Sequence, residues 1–322
     1  MGEIFNMKFL VIATGGTIAC VSTPDGLKPG LTGKQLVSRS SEILPTDLVD
    51  VVDLFSKDST NISPKDWFAI ADCINAHASH FDASIVLHGT DTMSWTAAAL
   101  SFMTDSLVVM TGSMLPSIVE NSDADNNLND AFAFARALFE AGRKEVALAF
   151  CGNLYEGSSV SKYDSHAMNA FMSWSKPLLG FKEGKKHILS DYKPDKQVKS
   201  SIKLESFVNE RHVALVPVFP GMKADYFRAL LQTNPKAMLI EAFGSAGVPF
   251  EKDEENLLLC IEEAVKKGIV VVMGTSCPSG GATPELYEVG VRALRAGAIS
   301  AGRLTREAVM VKLMLGIPIW SA

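Results

Sequence analysis

The sequence of 322 residues lacks the features by which nucleic-acid-binding and membrane proteins are recognised. It has no basic tract and a formal net charge of -6, so a polyanionic partner is not expected and small molecules become the default ligands. No apolar run reaches the ~18 residues that a spanning helix needs. The short apolar run near the start, "KFLVIA", ends in glycines, so we interpret it as a first strand and expect a cytoplasmic protein that is not exported.

Closely spaced cysteines are also missing. The five cysteines stand singly and are Cys20, Cys73, Cys151, Cys260 and Cys277. Without pairs they indicate neither a zinc site nor a disulfide framework, and they are typical of buried thiols in a reducing compartment. Asp123, Asp125 and Asn127 have the spacing of a calcium loop, but Leu128 occupies the position that requires glycine, so we interpret these acids as helix caps. No metal and no cofactor are predicted.

Short apolar blocks alternate with longer segments of helical periodicity. The predicted strands of the first half are 9–13, 50–55, 83–88, 106–110 and 145–150, and predicted helices begin near Ser63, Thr92 and Asn126. The β-branched character of these blocks is typical of strands that are buried on both faces. The alternation therefore predicts an α/β fold with a mainly parallel sheet and helices on both sides.

The composition changes between Gly180 and Arg211, where lysines are frequent and large apolar residues are few. We interpret this stretch as a solvated crossing or edge hairpin between domains. Beyond it, "HVALVPVF", "AMLIEAF" and "GIVVVMG" resume the alternation of strands and helices. The prediction is a larger N-terminal α/β domain over 1–190, a linker over 191–211 and a smaller C-terminal parallel α/β domain over 212–322.

Polar loops follow four of the predicted strands. They are "TGGT" at 14–17, "DST" at 58–60, "HGTDT" at 88–92 and "TGSMLP" at 111–116. Each loop alone could be an ordinary turn or a helix cap. Because the carboxyl ends of parallel strands share one edge of the sheet, four such loops are expected to converge, which favours an active-site crevice there.

The motifs "TGGTIA", "HGTDTM" and "TGSMLP", in this order, resemble those of the bacterial and archaeal L-asparaginase family, close to its cytosolic type. The similarity continues through "DSTNISPKDW", "SKYDSHAMNAF" and "LTREAVMVKLM", so it covers nearly the whole chain. The resemblance implies a two-domain α/β amidohydrolase that converts L-asparagine to L-aspartate and ammonia, with L-glutamine as a poorer substrate. It also implies a homodimer or homotetramer.

The resemblance assigns catalytic roles to Thr17, Thr90, Asp91 and Lys162. Thr17 stands where the family has the threonine that attacks the amide carbon and forms an acyl-enzyme. Thr90, Asp91 and Lys162 match a second cluster, in which a lysine held by a carboxylate can act as a base or a proton relay. Which threonine forms the acyl-enzyme stays open, and we favour Thr17.

The predicted substrate-binding residues are Asp58, Ser59, Thr60, Gly89, Thr90 and Asp91. Ser59 suits the α-carboxylate of an amino acid amide and Asp91 suits its α-ammonium group. His88 is expected to orient the "HGTDT" loop by hydrogen bonding. Leu27 departs from the family, because many members have at this position a tyrosine that activates the nucleophile. The surrounding segment keeps its glycines and prolines and could close as a lid.

Two other functions are compatible with these motifs. One is a catalytically silent sensor that binds an amino acid, although a sensor would need neither both threonines nor the lysine. The other is the amide-hydrolysing subunit of a tRNA-dependent amidotransferase. Such subunits carry an additional N-terminal domain, whereas here the first predicted strand begins within ten residues of the start, so we expect an asparaginase.

Overall fold

The computed structural model describes residues 6–24, 26–204 and 212–319. It divides into two compact units, Met1–Lys199 and Ser200–Ala322. The predicted boundaries of 190 and 211 remain a proposal. Within the described residues, no helix is both long enough and apolar enough to cross a membrane.

The first unit consists of one large sheet, two small sheets and four α-helices, counted over the described residues. In chain order its strands are β1 (Lys8–Gly15), β2 (Cys20–Thr23), β3 (Gly26–Pro29), β4 (Leu48–Lys57), β5 (Ala83–Leu87), β6 (Val108–Thr111), β7 (Val146–Phe150), β8 (Asn153–Glu156), β9 (Val160–Lys162), β10 (Phe171–Ser173), β11 (Gly180–Glu183) and β12 (Lys186–Leu189). Its helices are α1 (Gly33–Val37), α2 (Pro64–His77), α3 (Met93–Met103) and α4 (Ala124–Glu140).

The large sheet has the order β12-β11-β8-β7-β6-β5-β1-β4. Strands β7, β6, β5, β1 and β4 pair in parallel, with Val11 of β1 opposite both Val51 of β4 and Ile85 of β5. Strands β8, β11 and β12 continue the sheet in antiparallel pairing. The prediction of a mainly parallel sheet is confirmed, and the lysine-rich stretch begins as an edge hairpin, β11 and β12, which belongs to this sheet.

Helices cover both faces of the parallel strands. On one face, α4 packs against β1, where the rings of Phe132 and Phe9 meet edge to face at 5.0 Å. On the other face, α2 and α3 contribute Ile70 and Leu100 to a second core cluster. Burial of these apolar side chains, at roughly 25 cal/mol per Å² of apolar surface, is the main stabilising contribution to such a three-layer arrangement.

The predicted strand over 50–55 is an exception to burial on both faces. It lies in β4, which forms an edge of the large sheet, and each of its residues is either exposed or partly buried. The expectation of a doubly buried strand was therefore wrong here. The physical reason is visible in "DVVDLF", because the exposed Asp50 and Asp53 interrupt the apolar run and suit only an edge position.

The second unit contains a four-stranded parallel sheet, counted over the described residues. Its strands are β13 (Val213–Pro217), β14 (Ala237–Ala242), β15 (Val270–Thr275) and β16 (Ile299–Ser300), in that spatial order. Its helices are α5 (Ala224–Leu231), α6 (Leu257–Lys266), α7 (Glu288–Arg295) and α8 (Arg306–Met314). The expectation of a smaller parallel α/β fold is confirmed.

Candidate active site

The loop that follows β1 crosses closely over the loop that follows β5. A side chain on Gly16 would place its Cβ 2.3 Å from the Cα of Gly89, so no larger residue fits at this crossing. Gly16 also has φ +78°, which glycine adopts without strain. Thr17 follows immediately and begins a short 3-10 helix, Thr17–Ala19, in a partly exposed position. The crossing therefore holds the Thr17 loop against the "HGTDT" loop.

Three of the predicted catalytic residues are in direct contact. Nζ of Lys162 donates to Oγ1 of Thr90 at 2.9 Å and to Oδ1 of Asp91 at 2.7 Å. Lys162 comes from the end of β9, and its side chain is only 14% exposed, whereas that of Asp91 is 54% exposed. A lysine amine bonded to both a carboxylate and a hydroxyl is suited, in its neutral form, to take up the proton of that hydroxyl.

The Thr17 hydroxyl is not part of this hydrogen-bonded group. Within residues 6–24, 26–204 and 212–319 it has no hydrogen-bond partner. The loops of Thr17 and Thr90 are adjacent through the contact between Gly16 and Gly89. A hydroxyl with no partner in the described protein is available to a ligand.

Ser59 connects the loop after β4 to the loop after β5. It is buried, its Oγ accepts from the N–H of Asp91 at 3.2 Å, and its carbonyl accepts from Oγ1 of Thr92 at 2.7 Å. Asp58 caps the 3-10 helix Ser59–Asn61, and its Oδ1 accepts both the N–H and the Oγ1 hydrogen of Thr60, at 2.9 and 2.8 Å. The Thr60 hydroxyl is therefore bonded to Asp58 in this state.

His88 fixes the peptide that precedes Thr90. The imidazole is fully buried, its Nδ1 lies 2.8 Å from the carbonyl oxygen of Gly89, and its Nε2 lies 3.0 Å from Oγ1 of Thr96. Because a carbonyl only accepts, Nδ1 carries the hydrogen and Thr96 donates to Nε2. Burial lowers the pKa of His88 to about 4, so the ring is neutral at pH 7. The expectation that His88 orients the loop is confirmed.

The loop "TGSMLP" after β6 is held by Asp123. Its carboxylate accepts from the N–H groups of Met114, at 2.9 Å, and Leu115, at 3.0 Å. Nδ2 of Asn127 donates to the same carboxylate at 2.9 Å. Asp123 occupies the N-cap position of α4, as the helix-cap interpretation expected, but its side chain makes no capping hydrogen bond. The carboxylate instead accepts hydrogen bonds from the preceding loop, which turns back beside the start of α4.

Leu27 lies on β3, in the hairpin formed by β2 and β3, and its side chain is 57% exposed. Tyr155, the first tyrosine in the chain, is buried. Its hydroxyl donates to the carbonyl of Phe171 at 3.0 Å, and burial raises its pKa to about 12. The hairpin is tied to the Thr17 loop at its base, since the N–H groups of Gly30 and Leu31 both donate to the carbonyl of Ala19.

Sequence reasoning missed three contributors to this geometry, namely Lys57 with Asp66, Thr92, and the pair Asp123 and Asn127. Their signal in the sequence is weak, because Lys57 ends a strand and the others lie in segments that are also typical of an ordinary helix start. Among the described residues, no group of three or more His, Cys, Asp or Glu side chains is arranged to hold a metal ion.

The fold and the site together define a class of protein. A parallel sheet with hydroxyls and a carboxylate at the carboxyl ends of its strands, and a lysine from the neighbouring β9 in contact with both, is the arrangement of an α/β enzyme that uses a hydroxyl as nucleophile. The family model "Asparaginase, N-terminal" matches residues 8–194, and "Glutaminase/Asparaginase C-terminal domain" matches residues 212–318. The chain belongs to the asparaginase family of amidohydrolases.

Individual relatives agree with this assignment. The chain is 35% identical to the L-asparaginase of Thermococcus kodakarensis over 313 residues, which cover 96% of this chain and 92% of that protein. The solved structure of the thermostable L-asparaginase from that organism matches with a TM-score of 0.83 at 34% identity, over 96% of this chain and 92% of that one. A glutamyl-tRNA(Gln) amidotransferase subunit of Aeropyrum pernix is 34% identical over 325 residues, covering 95% of this chain and 73% of that protein.

Proposed function

We propose that the protein hydrolyses the side-chain amide of L-asparagine to L-aspartate and ammonia, with L-glutamine as a poorer substrate. The observation that carries the proposal is the contact of Lys162 with both Thr90 and Asp91, beside the loop of Thr17. Similarity to the L-asparaginase of Thermococcus kodakarensis over 96% of the chain supports asparagine as the substrate. Cytoplasmic localisation and assembly as a homodimer or homotetramer are part of the same proposal.

In the proposed first step, Oγ1 of Thr17 attacks the side-chain amide carbon of asparagine. The C–O bond of an acyl-enzyme forms, the C–N bond breaks, and the hydroxyl proton leaves with the departing ammonia. The N–H of Thr90 is a candidate donor to the developing oxyanion. Its peptide is planar and its carbonyl side is bonded to His88, so this N–H points away from the imidazole.

In the proposed second step, a water molecule attacks the ester carbon. Thr90 passes a proton of that water to Lys162, which acts as a base in its neutral form. The bond to Thr17 then breaks, and the proton held by Lys162 returns to the Thr17 oxygen. L-aspartate is released, and its new carboxyl group loses its proton to solvent. Oδ1 of Asp91, 2.7 Å from Nζ of Lys162, holds this amine in reach of Thr90. The side chain of Asp91 is 54% exposed, and its second oxygen suits the α-ammonium group of the substrate.

The remaining binding residues belong to the adjacent loops. The loop at the end of β4 carries Asp58, Ser59 and Thr60. At the end of β5, Gly89 has no side chain and lets the backbone of Gly16 lie close to its own. We propose that the hydroxyl of Ser59 and the neighbouring backbone receive the α-carboxylate. Thr60 and Asp58 shape the rim of this subsite through their mutual hydrogen bond.

The test is ammonia release by purified, chelator-treated protein, with L-asparagine and L-glutamine compared over a range of concentrations. We expect turnover without added metal or nucleotide and a higher kcat/KM for L-asparagine. Thr17→Ala should lower the rate below about 10⁻³ of wild type, because the nucleophile is lost. Thr46→Ala, the same truncation at an exposed threonine at the opposite end of β4, should leave the rate unchanged.

Two outcomes would favour the alternatives. Tight binding of an amino acid without ammonia release would indicate a sensor. A preference for L-glutamine would favour an amidotransferase subunit, a function supported by the 34% identity to the amidotransferase subunit of Aeropyrum pernix. Wild-type activity in Thr17→Ala would remove Thr17 from the mechanism.

A further inference from the structure

Lys57 and Asp66 form an ion pair across the base of the turn that carries Ser59. We call residues 58–62 the Ser59 turn. Lys57 is the last residue of β4 and Asp66 lies in the first turn of α2, and the distance from Nζ to Oδ1 is 2.6 Å. The side chain of Asp66 is 10% exposed and that of Lys57 is 38% exposed. Burial raises the pKa of Asp66, but hydrogen bonds from Lys57 and Ser63 outweigh it and hold the pKa below its usual value.

The carboxylate of Asp66 holds both ends of the Ser59 turn. Oδ1 binds Lys57, which precedes the turn, and Oδ2 accepts the N–H and the hydroxyl of Ser63, which follows it, at 2.8 and 2.9 Å. The middle of the turn is fixed from the other side, since Ser59 accepts hydrogen bonds from Asp91 and Thr92. The position of Ser59 is therefore determined by one carboxylate at its ends and by the "HGTDT" loop at its centre.

Lys57 also contacts the loop of the proposed nucleophile. Its carbonyl accepts the N–H of Gly16 at 2.9 Å. A Cβ on Gly15 would lie 2.5 Å from the backbone nitrogen and oxygen of Lys57, so the two chain segments are in close contact. The backbone of Lys57 thus contacts the Thr17 loop. Its side chain reaches the far end of the Ser59 turn through the carboxylate of Asp66.

We propose that Lys57 and Asp66 are positioning residues that set the distance between the Thr17 hydroxyl and the subsite for the substrate α-carboxylate. This inference rests on the proposed function. Neither residue is proposed to touch the substrate, because each is bonded to the other and to the ends of the turn. Loss of the pair should loosen the carboxylate subsite and leave the Thr90, Asp91 and Lys162 group intact, which predicts a change in KM more than in kcat.

The test uses steady-state kinetics of the full chain. For Lys57→Met we expect the KM for L-asparagine to rise about tenfold with kcat within about threefold of wild type. Lys57→Arg, which keeps the ion pair, should restore the KM to within about twofold. Lys65→Met removes the same charge from an exposed position in the first turn of α2 and should change neither constant. Succinamate keeps the carboxylate and lacks the α-ammonium group, so its KM should rise with Lys57→Met by the same factor.

A double-mutant cycle separates the pair from a general charge effect. Asp66→Asn keeps an amide oxygen for Ser63 but loses the ion pair, so adding Lys57→Met to it should raise the KM no further. The melting temperature of each of these variants should lie within about 3 °C of that of the wild type, because the ion pair is partly exposed. Wild-type turnover of L-asparagine in the same assay tests the proposed function separately. With that turnover present, an unchanged KM in Lys57→Met, or an equal rise in Lys65→Met, overturns the inference alone.

Discussion

Lys162 donates hydrogen bonds to Thr90 and Asp91 from a side chain that is only 14% exposed. If it acts as the base, Lys162→Met should lower kcat by about 10²–10⁴, the usual contribution of a positioned general base. Lys162→Arg should lose a similar factor, because a guanidinium keeps the charge but does not release its proton near neutral pH. Ammonia release at saturating L-asparagine measures both variants.

The arginine variant separates the two roles open to this lysine. Near-normal kcat in Lys162→Arg together with a large loss in Lys162→Met would assign Lys162 an electrostatic role and contradict the base. Lys176→Met serves as the control for the loss of one partly buried ammonium group. Lys176 lies outside the loops of the proposed site, and its Nζ lies 3.5 Å from Oε1 of Glu156.

At the level of single residues, the sequence alone could not supply the partners of Lys162. Thr90 and Lys162 are 72 positions apart, and no periodicity links them. Only the resemblance to the family placed them together. His88 was predicted more directly, since it adjoins the glycine that it orients. Asp66 was missed because "SPKDW" already has a complete explanation as a capping box, which the structure also contains. Lys57 was missed because it ends a strand, nine positions before Asp66.

At the level of elements, apolar runs predicted the central strands because β5, β6 and β7 are buried along their whole length. The same reasoning missed β9 and β10, which have three residues each and pair with one another in antiparallel fashion. Strands of three residues are too short to show the alternation of apolar and polar residues by which strands are predicted. The end of β9 nevertheless carries Lys162, so a poorly predictable element supplies a proposed catalytic side chain.

The junction between β6 and α4 yields a prediction about stability. Asp123 accepts hydrogen bonds from Met114, Leu115 and Asn127 and so ties the loop to the helix start. Asp123→Ala should lower the free energy of unfolding by about 2–3 kcal/mol, because bonds to a charged acceptor contribute more than neutral ones. Urea denaturation measures the loss.

Asp125→Ala is the matched control for this junction. Asp125 lies two residues later, and its side chain is 47% exposed in an ion pair with Arg39, so its removal should cost less than about 1 kcal/mol. Equal losses in the two variants would show that the loop does not depend on the Asp123 carboxylate.

At the level of the whole molecule, composition and alternation predicted two α/β units, and the described residues form a large, mainly parallel sheet and a small parallel sheet. The sequence could not show that the hairpin β11 and β12 extends the first sheet in antiparallel pairing beside β8. Lysine-rich composition indicates exposure, and an edge strand is as exposed as a linker. Pairing depends on contacts distant in sequence, which composition does not report.

The buried imidazole of His88 gives the first unit a specific dependence on pH. Its pKa is lowered to about 4 in the folded protein from an ordinary 6.5, so below pH 6.5 the unfolded chain binds a proton that the folded chain does not. This contribution to stability is complete above pH 6.5 and is lost as the pH falls towards 4. The loss between pH 7.5 and 5 should be about 2 kcal/mol.

His88→Asn removes the titrating group while offering an amide that can donate near the position of Nδ1. Between pH 7.5 and 5, the wild type should therefore lose about 2 kcal/mol more unfolding free energy than this variant. His80→Asn, at an exposed position, should lose as much as the wild type. Tryptophan fluorescence in urea follows mainly the relevant unit, because three of the four tryptophans, Trp67, Trp95 and Trp174, lie in Met1–Lys199. Parallel pH profiles for wild type and His88→Asn would mean that the folded protein accommodates a charged imidazole, contrary to its complete burial.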